Sequence, residues 1–329
     1  MPSLIVLLLA PTAPGIVRDG EPWLAYVSGP PGAARVYVIR ADGAGRRRLP
    51  SRTLEAASPA WSADGARLAF VGTDGPTSQV FVVGADGSAL RQMTRPPESH
   101  VSPVWAPVGA ALAFTAHGAG GERTVYVADV RGVSRRRLGA GYAPAWSPDG
   151  QFVAFLGGSR GFAELYVVSA SGGRARRIET SVDGIARGVT GFAWAPDGRR
   201  IAYTSRSGPA QEEIRIVDLE RGTARWVSTG YAPAWSPDGA RLAFTVSRVG
   251  SAYVAVAPAS GGGARAVTDR RGIAVRPVWA PDGRYLAVVS VRGADVGLYL
   301  IRPDGRGTRR LDAIYADFDR GPLVAWRPR

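Results

Sequence analysis

Residues 232–244 read APAWSPDGARLAF, and residues 143–155 read APAWSPDGQFVAF. Related text surrounds five further tryptophans. The seven positions are Trp61, Trp105, Trp146, Trp194, Trp235, Trp279 and Trp326, at spacings of 44, 41, 48, 41, 44 and 47 residues. A period of this length indicates a repeat protein, in which each copy is one supersecondary unit.

Each copy predicts four short β-strands. The first strand carries the tryptophan and ends at a turn that usually reads Asp-Gly, a pair that suits tight hairpins. An LAF-type run, a VYV-type run and a short basic stretch follow as the second, third and fourth strands. Windows long enough for a helix show no helical periodicity. Four strands in a period of about 44 residues predict the blade of a β-propeller.

The two ends of the chain complement each other. Residues 23–50 supply the last three strands of a copy, and residues 321–329 supply a tryptophan strand. We therefore expect an all-β, seven-bladed β-propeller of four-stranded antiparallel blades, with its ring closed by the C-terminal strand. Residues 13–20 compete for the innermost place in the closing blade, but Trp326 is favoured because it keeps the aromatic residue of the repeat. A single propeller domain then spans residues 14–329.

Composition limits the chemistry. The 329 residues include no Cys and two His, which excludes disulfides, thiol nucleophiles and His-rich metal clusters. All 41 basic residues are Arg, against 27 acidic residues. The arginine runs, which fall on the fourth strands, are Arg46–Arg48, Arg135–Arg137, Arg176–Arg177 and Arg309–Arg310. Charge on an edge strand blocks pairing with other sheets. We therefore expect weak contact with anionic surfaces at most, no reading of nucleic acid, no metal and no cofactor.

The N-terminus predicts export. Residues 4–10 read LIVLLLA, which is too short to span a bilayer but reaches the lower limit of a signal-peptide core. We expect residues 1–13 to be a signal peptide or a truncated signal, and the protein to be periplasmic or extracellular without a transmembrane span. If this run is instead an ordinary strand or tail, the protein stays in the cytoplasm.

The copies resemble the WD-like repeat of the TolB-type β-propeller family. The similarity covers roughly residues 16–329, and the PAWSPDG–LAF text is its most specific part. TolB itself has an N-terminal α/β domain for which this chain has no room, so we expect a stand-alone propeller rather than a TolB orthologue. Prolyl-oligopeptidase-type peptidases and oligogalacturonate lyases share the architecture. We expect neither the nucleophile elbow of the former nor the several channel histidines of the latter.

Loops at one face of the predicted propeller vary between copies, whereas the tight turns at the other face hardly change. Variable loops on a rigid scaffold are where function usually lies. We therefore expect the channel mouth at this face to present Glu55, His100, Tyr142, Arg187, Tyr231, Arg276 and Arg320. Tyrosine and arginine are typical of contacts with protein partners, and they also suit a glycan.

The predicted function is a non-catalytic, TolB-like propeller of the cell envelope that binds a protein or another ligand. The alternative is an enzyme of lyase or glycosidase type with its active site at the channel mouth. Its acid–base groups would be Glu55, His100, Asp317 and Asp319. We expect the repeated tryptophans to pack between blades, and the hairpin aspartates to form turns rather than bind metal.

Overall fold

The computed structural model describes residues 21–30, 32–51, 53, 55–131, 134–158, 162–180, 188–208, 211–292, 295–314 and 324–328. Residues 207, 208, 211, 292 and 295 are described by their backbone alone. Within these ranges the protein is all β, with 28 strands and no helix. The predicted all-β fold class is therefore confirmed.

The strands form runs of four that we call units. Strand a of each unit carries the repeated tryptophan, and strands b, c and d follow it across the sheet. Unit 1 contains β28 (Val324–Trp326), β1 (Trp23–Ser28), β2 (Arg35–Arg40) and β3 (Arg47–Arg48). Unit 2 contains β4 (Glu55–Trp61), β5 (Arg67–Thr73), β6 (Ser78–Gly84) and β7 (Arg91–Gln92). Unit 3 contains β8 (Ser99–Trp105), β9 (Ala111–His117), β10 (Arg123–Asp129) and β11 (Arg135–Ala140).

The remaining units repeat this order. Unit 4 contains β12 (Tyr142–Trp146), β13 (Phe152–Gly157), β14 (Glu164–Ser169) and β15 (Arg176–Arg177). Unit 5 contains β16 (Gly188–Trp194), β17 (Arg200–Gly208), β18 (Gln211–Asp218) and β19 (Ala224–Thr229). Unit 6 contains β20 (Tyr231–Trp235), β21 (Arg241–Arg248), β22 (Ser251–Pro258) and β23 (Arg265–Ala266). Unit 7 contains β24 (Ile273–Trp279), β25 (Leu286–Arg292), β26 (Asp295–Ile301) and β27 (Thr308–Ala313).

Neighbouring strands within a unit are antiparallel, as the sequence predicts. Units 1 to 5 are separate four-stranded sheets, whereas units 6 and 7 form one eight-stranded sheet. The junction in that sheet is a parallel pair between Ala252 and Ile273. In unit 1 the C-terminal strand β28 pairs with β1, and Trp326 lies opposite Leu24. The competing segment, residues 13–20, lies outside the described residues.

The core consists of apolar clusters between units. Seven clusters are present in the described residues, and each combines side chains from two successive units. One of them joins the last unit to the first, because Leu298 and Leu300 pack with Leu24 and Ile39. Alternation of apolar residues along the strands places one face of each sheet against each neighbour.

A ladder of tryptophan hydrogen bonds crosses these clusters. Each indole Nε1 donates to the carbonyl of the residue directly before the tryptophan of the neighbouring unit, at 3.1–3.2 Å. The donor–acceptor pairs are Trp61–Ala325, Trp105–Ala60, Trp146–Val104, Trp194–Ala145, Trp235–Ala193, Trp279–Ala234 and Trp326–Val278. The prediction that these tryptophans are packing residues is confirmed.

Arginines on strand d also join neighbouring units. Their guanidinium groups donate to carbonyl oxygens at the c–d turn of the next unit, in the pairs Arg47–Ala85, Arg91–Val130, Arg136–Ala170, Arg176–Leu219 and Arg225–Ala259. The expected arginine-rich outer strands are thus observed in several units. Their arginines bond to the neighbouring sheet in addition to charging an edge.

A polar contact joins units 7 and 1 beside their shared cluster. The buried hydroxyl of Tyr26 donates to the Asp312 carboxylate, and Nε of Arg46 lies 2.7 Å from the same carboxylate oxygen. Burial raises the pKa of Tyr26 far above its usual range, and Asp312 adds to this effect. The phenol therefore stays protonated and serves as a hydrogen-bond donor.

Candidate functional site

The two ends of the units differ in how closely they repeat. Because neighbouring strands are antiparallel, the a–b and c–d connections lie at one end, the hairpin end. The b–c connections and the links to the next unit lie at the other end, the loop end.

The same type of hydrogen bond occurs in five a–b turns at the hairpin end. Their aspartate accepts the N–H two residues on, at 2.9–3.0 Å, in the pairs Asp64–Ala66, Asp149–Gln151, Asp197–Arg199, Asp238–Ala240 and Asp282–Arg284. The predicted role of these aspartates as turn formers is confirmed. Within the described ranges, no three His, Asp or Glu side chains are placed to hold a metal ion.

Strand a contains the same β-bulge in most units, close to the loop end. The residue three places before the tryptophan has a positive φ in five units: Ser58 (50°), Ser102 (54°), Ala143 (54°), Ala232 (53°) and Arg276 (55°). Two of these N–H groups, at Ala143 and Arg276, donate to the hydroxyls of Thr115 and Thr245 at 3.2 and 3.0 Å. Bulges change the direction of side chains. Residues of strand a therefore help to shape the loop end.

Two predicted site residues, Glu55 and His100, lie inside the protein rather than at its surface. The Glu55 carboxylate accepts the N–H of Gly32 at 3.1 Å, and the residue is 8% exposed. His100 is 2% exposed, and its Nδ1 lies 3.1 Å from Oε1 of Gln79. Both contacts cross from one unit to the next. The two side chains therefore help to join units and offer little surface to a partner.

Further polar groups surround His100 that the sequence did not single out. Its Nε2 lies 3.5 Å from Oε2 of Glu98, which also binds Arg135 at 3.0 Å. Burial lowers the pKa of His100, the Glu98 charge opposes this, and the Arg135 charge adds to it. The ring also packs edge-on against Phe114, with centroids 5.4 Å apart. A histidine held in this way stays neutral at neutral pH.

Tyr142 and Tyr231 begin strand a in units 4 and 6, and both are half-buried. The guanidinium of Arg123 lies 4.3 Å from the centroid of the Tyr142 ring, which is a cation–π contact. Burial raises the pKa of Tyr142, and the Arg123 charge lowers it. Tyr142 therefore offers an uncharged hydroxyl, with one face of its ring covered by arginine.

Tyr231 lies opposite Thr245 in register, and the Thr245 hydroxyl accepts the backbone N–H of Arg276 at 3.0 Å, so Tyr231 and Arg276 adjoin the same residue. Burial raises the pKa of Tyr231, and Glu212 contributes to the rise. Hydrogen bonds from Ser247 and Thr245 and the Arg276 charge lower it. We call Glu212, Tyr231, Ser247 and Arg276 the loop-end cluster; they come from units 5, 6 and 7. The predicted site residues Arg187 and Arg320, and the acid–base candidates Asp317 and Asp319, lie outside the described residues.

Glu212 and Ser247 are the members of this cluster that the sequence did not indicate. They lie beside b–c connections, whereas the prediction from the sequence rests on the residues that precede each tryptophan. The Glu212 carboxylate is also held by Arg206 at 3.2 Å and by the Thr190 hydroxyl at 3.4 Å. A charged residue beside a b–c connection is the feature of the sequence that could have indicated Glu212. The cluster combines a carboxylate, a phenol, a hydroxyl and a guanidinium, which suits polar recognition.

Repeated four-stranded antiparallel units, packed face to face through a tryptophan ladder, define a β-propeller. The chain belongs to the TolB beta propeller domain family, whose family model matches residues 11–142 and 189–320. The resemblance noted in the sequence is therefore confirmed at the level of the family. No helix in the described part of the chain has the length and apolar character needed to cross a membrane.

Solved structures share the fold at low sequence identity. TolB from Acinetobacter baumannii is 19% identical, with a TM-score of 0.56 over 74% of this chain and 65% of that chain. An oligogalacturonate lyase from Vibrio parahaemolyticus is 13% identical, with a TM-score of 0.67 over 84% and 85%. The β-propeller domain of the Trilobed protease from Pyrococcus furiosus is 13% identical, with a TM-score of 0.65 over 95% and 99%. At these identities the likeness shows the fold alone.

A curated relative matches one part of the chain. The uncharacterized peptidase YuxL of Bacillus subtilis (strain 168) is 39% identical over 69 residues, which is 21% of this chain. The chain spans 10% of the length of that relative, and 65% of the A. baumannii TolB structure. What these proteins act on or bind is therefore no direct guide to this one.

Proposed function

We propose that this TolB-like propeller is a non-catalytic binding module whose protein or glycan partner binds the loop end. The observation that carries this proposal is the loop-end cluster. Tyr231 and Arg276 both adjoin Thr245, and the carbonyl of Glu212 accepts the N–H of Gly230, the residue before Tyr231. These residues lie at the end where the units differ, whereas the hairpin end repeats the same turn contacts. Tyrosine and arginine are enriched among the residues that contribute most to protein interfaces. Tyr142 and its covering Arg123 extend the proposed surface towards unit 4.

We further propose that each unit is one blade, which gives seven blades in a ring closed by the C-terminal strand. The pairing of β28 with β1 supports this arrangement. The ladder supports it as well, because Trp326 bonds to unit 7 and Trp61 bonds to the residue before Trp326. The cluster shared by units 7 and 1 is a third support. On this reading, residues 14–329 form a single domain.

We also propose that the protein is periplasmic or extracellular, because the apolar run of residues 4–10 resembles a signal-peptide core. Membership of the TolB propeller family agrees with a role in the cell envelope. Mass spectrometry of the protein recovered from its native cells tests this point. A mature N-terminus near residue 14 in the envelope fraction is expected, and an intact N-terminus in the cytosol would contradict it.

The lyase or glycosidase alternative has less support. Of its four acid–base candidates, Glu55 and His100 are buried and engaged between units, while the other two lie outside the described residues. A buried carboxylate bonded to a backbone N–H and a histidine that is 2% exposed are poorly placed to reach a substrate.

Photocrosslinking from the two ends tests where the partner binds. A photoreactive amino acid replaces Tyr231 in one variant and Phe152 in the other. Phe152 is 41% exposed at the start of β13, at the hairpin end, so it is the matched control. We expect a discrete partner adduct from position 231 alone. An adduct from position 152 alone would place the site at the hairpin end and overturn the proposal.

Two alanine variants then measure the contribution of the cluster. At Arg276→Ala the backbone is preserved, because alanine already occupies the equivalent positive-φ position at Ala143 and Ala232. Loss of a buried aromatic or arginine anchor costs about 2 kcal/mol or more, which is roughly thirtyfold in affinity. We expect losses of that size for Tyr231→Ala and Arg276→Ala. We expect little change for Arg137→Gln, an exposed control on β11. A loss confined to the control would indicate an anionic surface as the partner.

A further inference from the structure

Three arginines at the junction of units 6 and 7 lie at the loop end without an acidic partner among the described residues. They are Arg248, which ends β21, and Arg270 and Arg271, which lie between β23 and β24. All three are exposed, and none makes an ion pair with a residue that the structure describes. Arginines elsewhere differ, since Arg135 binds Glu98 and Arg177 binds Glu164. The charge of the three guanidinium groups is therefore available to a partner outside the protein.

The fold holds these arginines close to one another. The Cζ atoms of Arg248 and Arg270 lie 5.6 and 5.4 Å from the centroid of the Tyr253 ring, so both make cation–π contacts with it. The N–H of Ala252 donates to the Gly272 carbonyl at 3.1 Å, which ties the b–c hairpin of unit 6 to the segment that follows β23. Like charges placed in this way repel each other, and an anion bound beside them offsets the repulsion.

Two apolar side chains are exposed beside these charges. Val249 lies in the two-residue turn between β21 and β22 and is 105% exposed, so its side chain protrudes fully into solvent. Ile273 begins β24 and is 40% exposed. It lines one cleft together with Arg271 and with Gly250, the other residue of the turn. Apolar and basic groups are therefore interleaved on one surface.

The charge of this surface and its apolar groups together favour an anionic lipid. Asp269 is the acidic residue of the segment between β23 and β24, and its carboxylate accepts the N–H of Arg271 at 2.9 Å. Three arginines therefore outweigh one aspartate, and positive charge attracts anions. A soluble anion would contact the guanidinium groups and leave Val249 and Ile273 in water. An anionic lipid surface accommodates both kinds of group, since its headgroups bind arginine and its acyl boundary accepts apolar side chains.

We propose that this surface, which we call the basic patch, docks on an anionic phospholipid surface. The basic patch consists of Arg248, Val249, Arg270, Arg271 and Ile273. Its guanidinium groups bind headgroup phosphates, while Val249, at the tip of the hairpin, enters the boundary with the acyl chains. The basic patch shares no residue with the loop-end cluster, so this inference goes beyond the proposed function and does not depend on it.

Partitioning of the full-length protein onto lipid vesicles tests the contribution of charge. The vesicles are phosphatidylcholine with about 30% phosphatidylglycerol, and phosphatidylcholine alone. We expect binding to the anionic vesicles that weakens as salt rises from about 0.1 to about 0.5 M. One basic residue near such a surface contributes about fivefold, so the triple variant Arg248→Gln, Arg270→Gln, Arg271→Gln should bind roughly a hundredfold more weakly.

The matched control removes the same charge from other places. The triple variant Arg48→Gln, Arg137→Gln, Arg309→Gln alters exposed positions on strand d of units 1, 3 and 7. We expect it to bind the anionic vesicles at most severalfold more weakly than the wild type. The apolar run of residues 4–10 is common to all these proteins, so differences between them report on the basic patch.

A fluorescent label tests insertion of the hairpin tip. The chain contains no Cys, so Val249→Cys gives one site for a nitrobenzoxadiazole label, and Val108→Cys, at a position 65% exposed at the hairpin end, is the control. We expect anionic vesicles to brighten the label at position 249 alone. This measurement decides the outcome if the triple variant does not fold. The proposal is overturned if the wild type does not prefer anionic vesicles, if both triple variants lose binding equally, or if the label at position 249 responds no more than that at position 108.

Discussion

The hairpin end and the loop end of the units differ in how far their contacts recur from unit to unit. At the hairpin end, one tryptophan bond and one aspartate turn recur with nearly constant geometry, as in the 3.1–3.2 Å indole contacts. At the loop end some backbone contacts recur, as at Ala143 and Arg276, but the contacts between side chains differ from unit to unit. His100 binds Gln79 between units 2 and 3, whereas Tyr231 of unit 6 lies opposite Thr245, whose hydroxyl binds the N–H of Arg276 in unit 7.

The difference separates folding from recognition. A contact that recurs between successive units supplies a nearest-neighbour interface energy, as in other repeat proteins. A contact that occurs once cannot be required by the repeat, so its residues are free to vary. We therefore expect substitutions at the hairpin end to act mainly on stability. Substitutions of exposed residues at the loop end should act mainly on binding.

The largest expected effect is removal of the C-terminal strand. Deleting residues 321–329 removes β28, and with it Trp326 and the Ala325 carbonyl that accepts the Trp61 bond. The clusters that join unit 1 to units 7 and 2 also lose side chains. The cost should exceed about 5 kcal/mol, which is comparable with the whole stability of many domains.

Thermal unfolding followed by circular dichroism measures this loss. We expect a large fall in the melting temperature or no cooperative transition. An unchanged melting curve would show that the proposed closure contributes nothing to stability.

Truncating one tryptophan of the ladder comes next. Trp235→Ala removes a buried indole and leaves the Ala193 carbonyl without its donor. Substitutions of this kind cost about 3–5 kcal/mol. Trp226→Ala is the control, because Trp226 is 49% exposed on β19, and it should cost about 1 kcal/mol or less. Urea unfolding compares the two variants, and equal losses would refute the special role of the ladder.

Much of this architecture could be predicted, because residues that recur in each copy mark where its strands begin and end. Trp146 and Trp235 fix strand a, and the Asp-Gly turn after each fixes the start of strand b. The sequence could not reveal what an arginine on strand d binds. Arg136 donates to the Ala170 carbonyl across the unit boundary, and a charge pattern contains no information on distances between units.

The candidate site was less predictable, because position within the repeat does not show which side chains are buried. Position before the tryptophan identified Tyr231 and Arg276, which both adjoin Thr245 in the structure. The same rule selected His100, whose burial depends on Gln79 and Glu98 in three dimensions. Burial of a polar side chain depends on residues distant in sequence, so the rule could not separate surface positions from interior ones.

A smaller effect is expected at one hairpin turn. The Ser236 hydroxyl binds the Asp238 carboxylate and the backbone N–H and carbonyl of Arg241. Ser236→Ala leaves the N–H of Arg241 without its acceptor, which costs about 1–2 kcal/mol. The Arg241 carbonyl keeps the backbone N–H of Ser236, and the Asp238 carboxylate keeps the N–H of Ala240. Ser134→Ala, at an exposed position, is the control and should be neutral. Urea midpoints that fall equally for both variants would show that the turn contributes no more than the surface does.

The smallest effect, at the loop end, depends on pH. Burial lowers the pKa of His100 below that of a histidine in the unfolded chain, which is about 6.5. As the pH falls below about 6.5, the unfolded state takes up a proton that folded His100 resists, so the free energy of unfolding decreases. Above that pH both states are neutral and His100 adds no slope.

Unfolding in urea at a series of pH values, for the wild type and His100→Gln, isolates this contribution because every other titrating group, His117 included, is common to both proteins. We expect the wild type to lose more stability than the variant on going from pH 7 to about pH 5.5. Parallel curves would mean that Glu98, which lies 3.5 Å from Nε2, compensates for burial when the imidazole is charged. In that case the folded protein would accommodate a charged His100 as readily as it would a histidine on its surface.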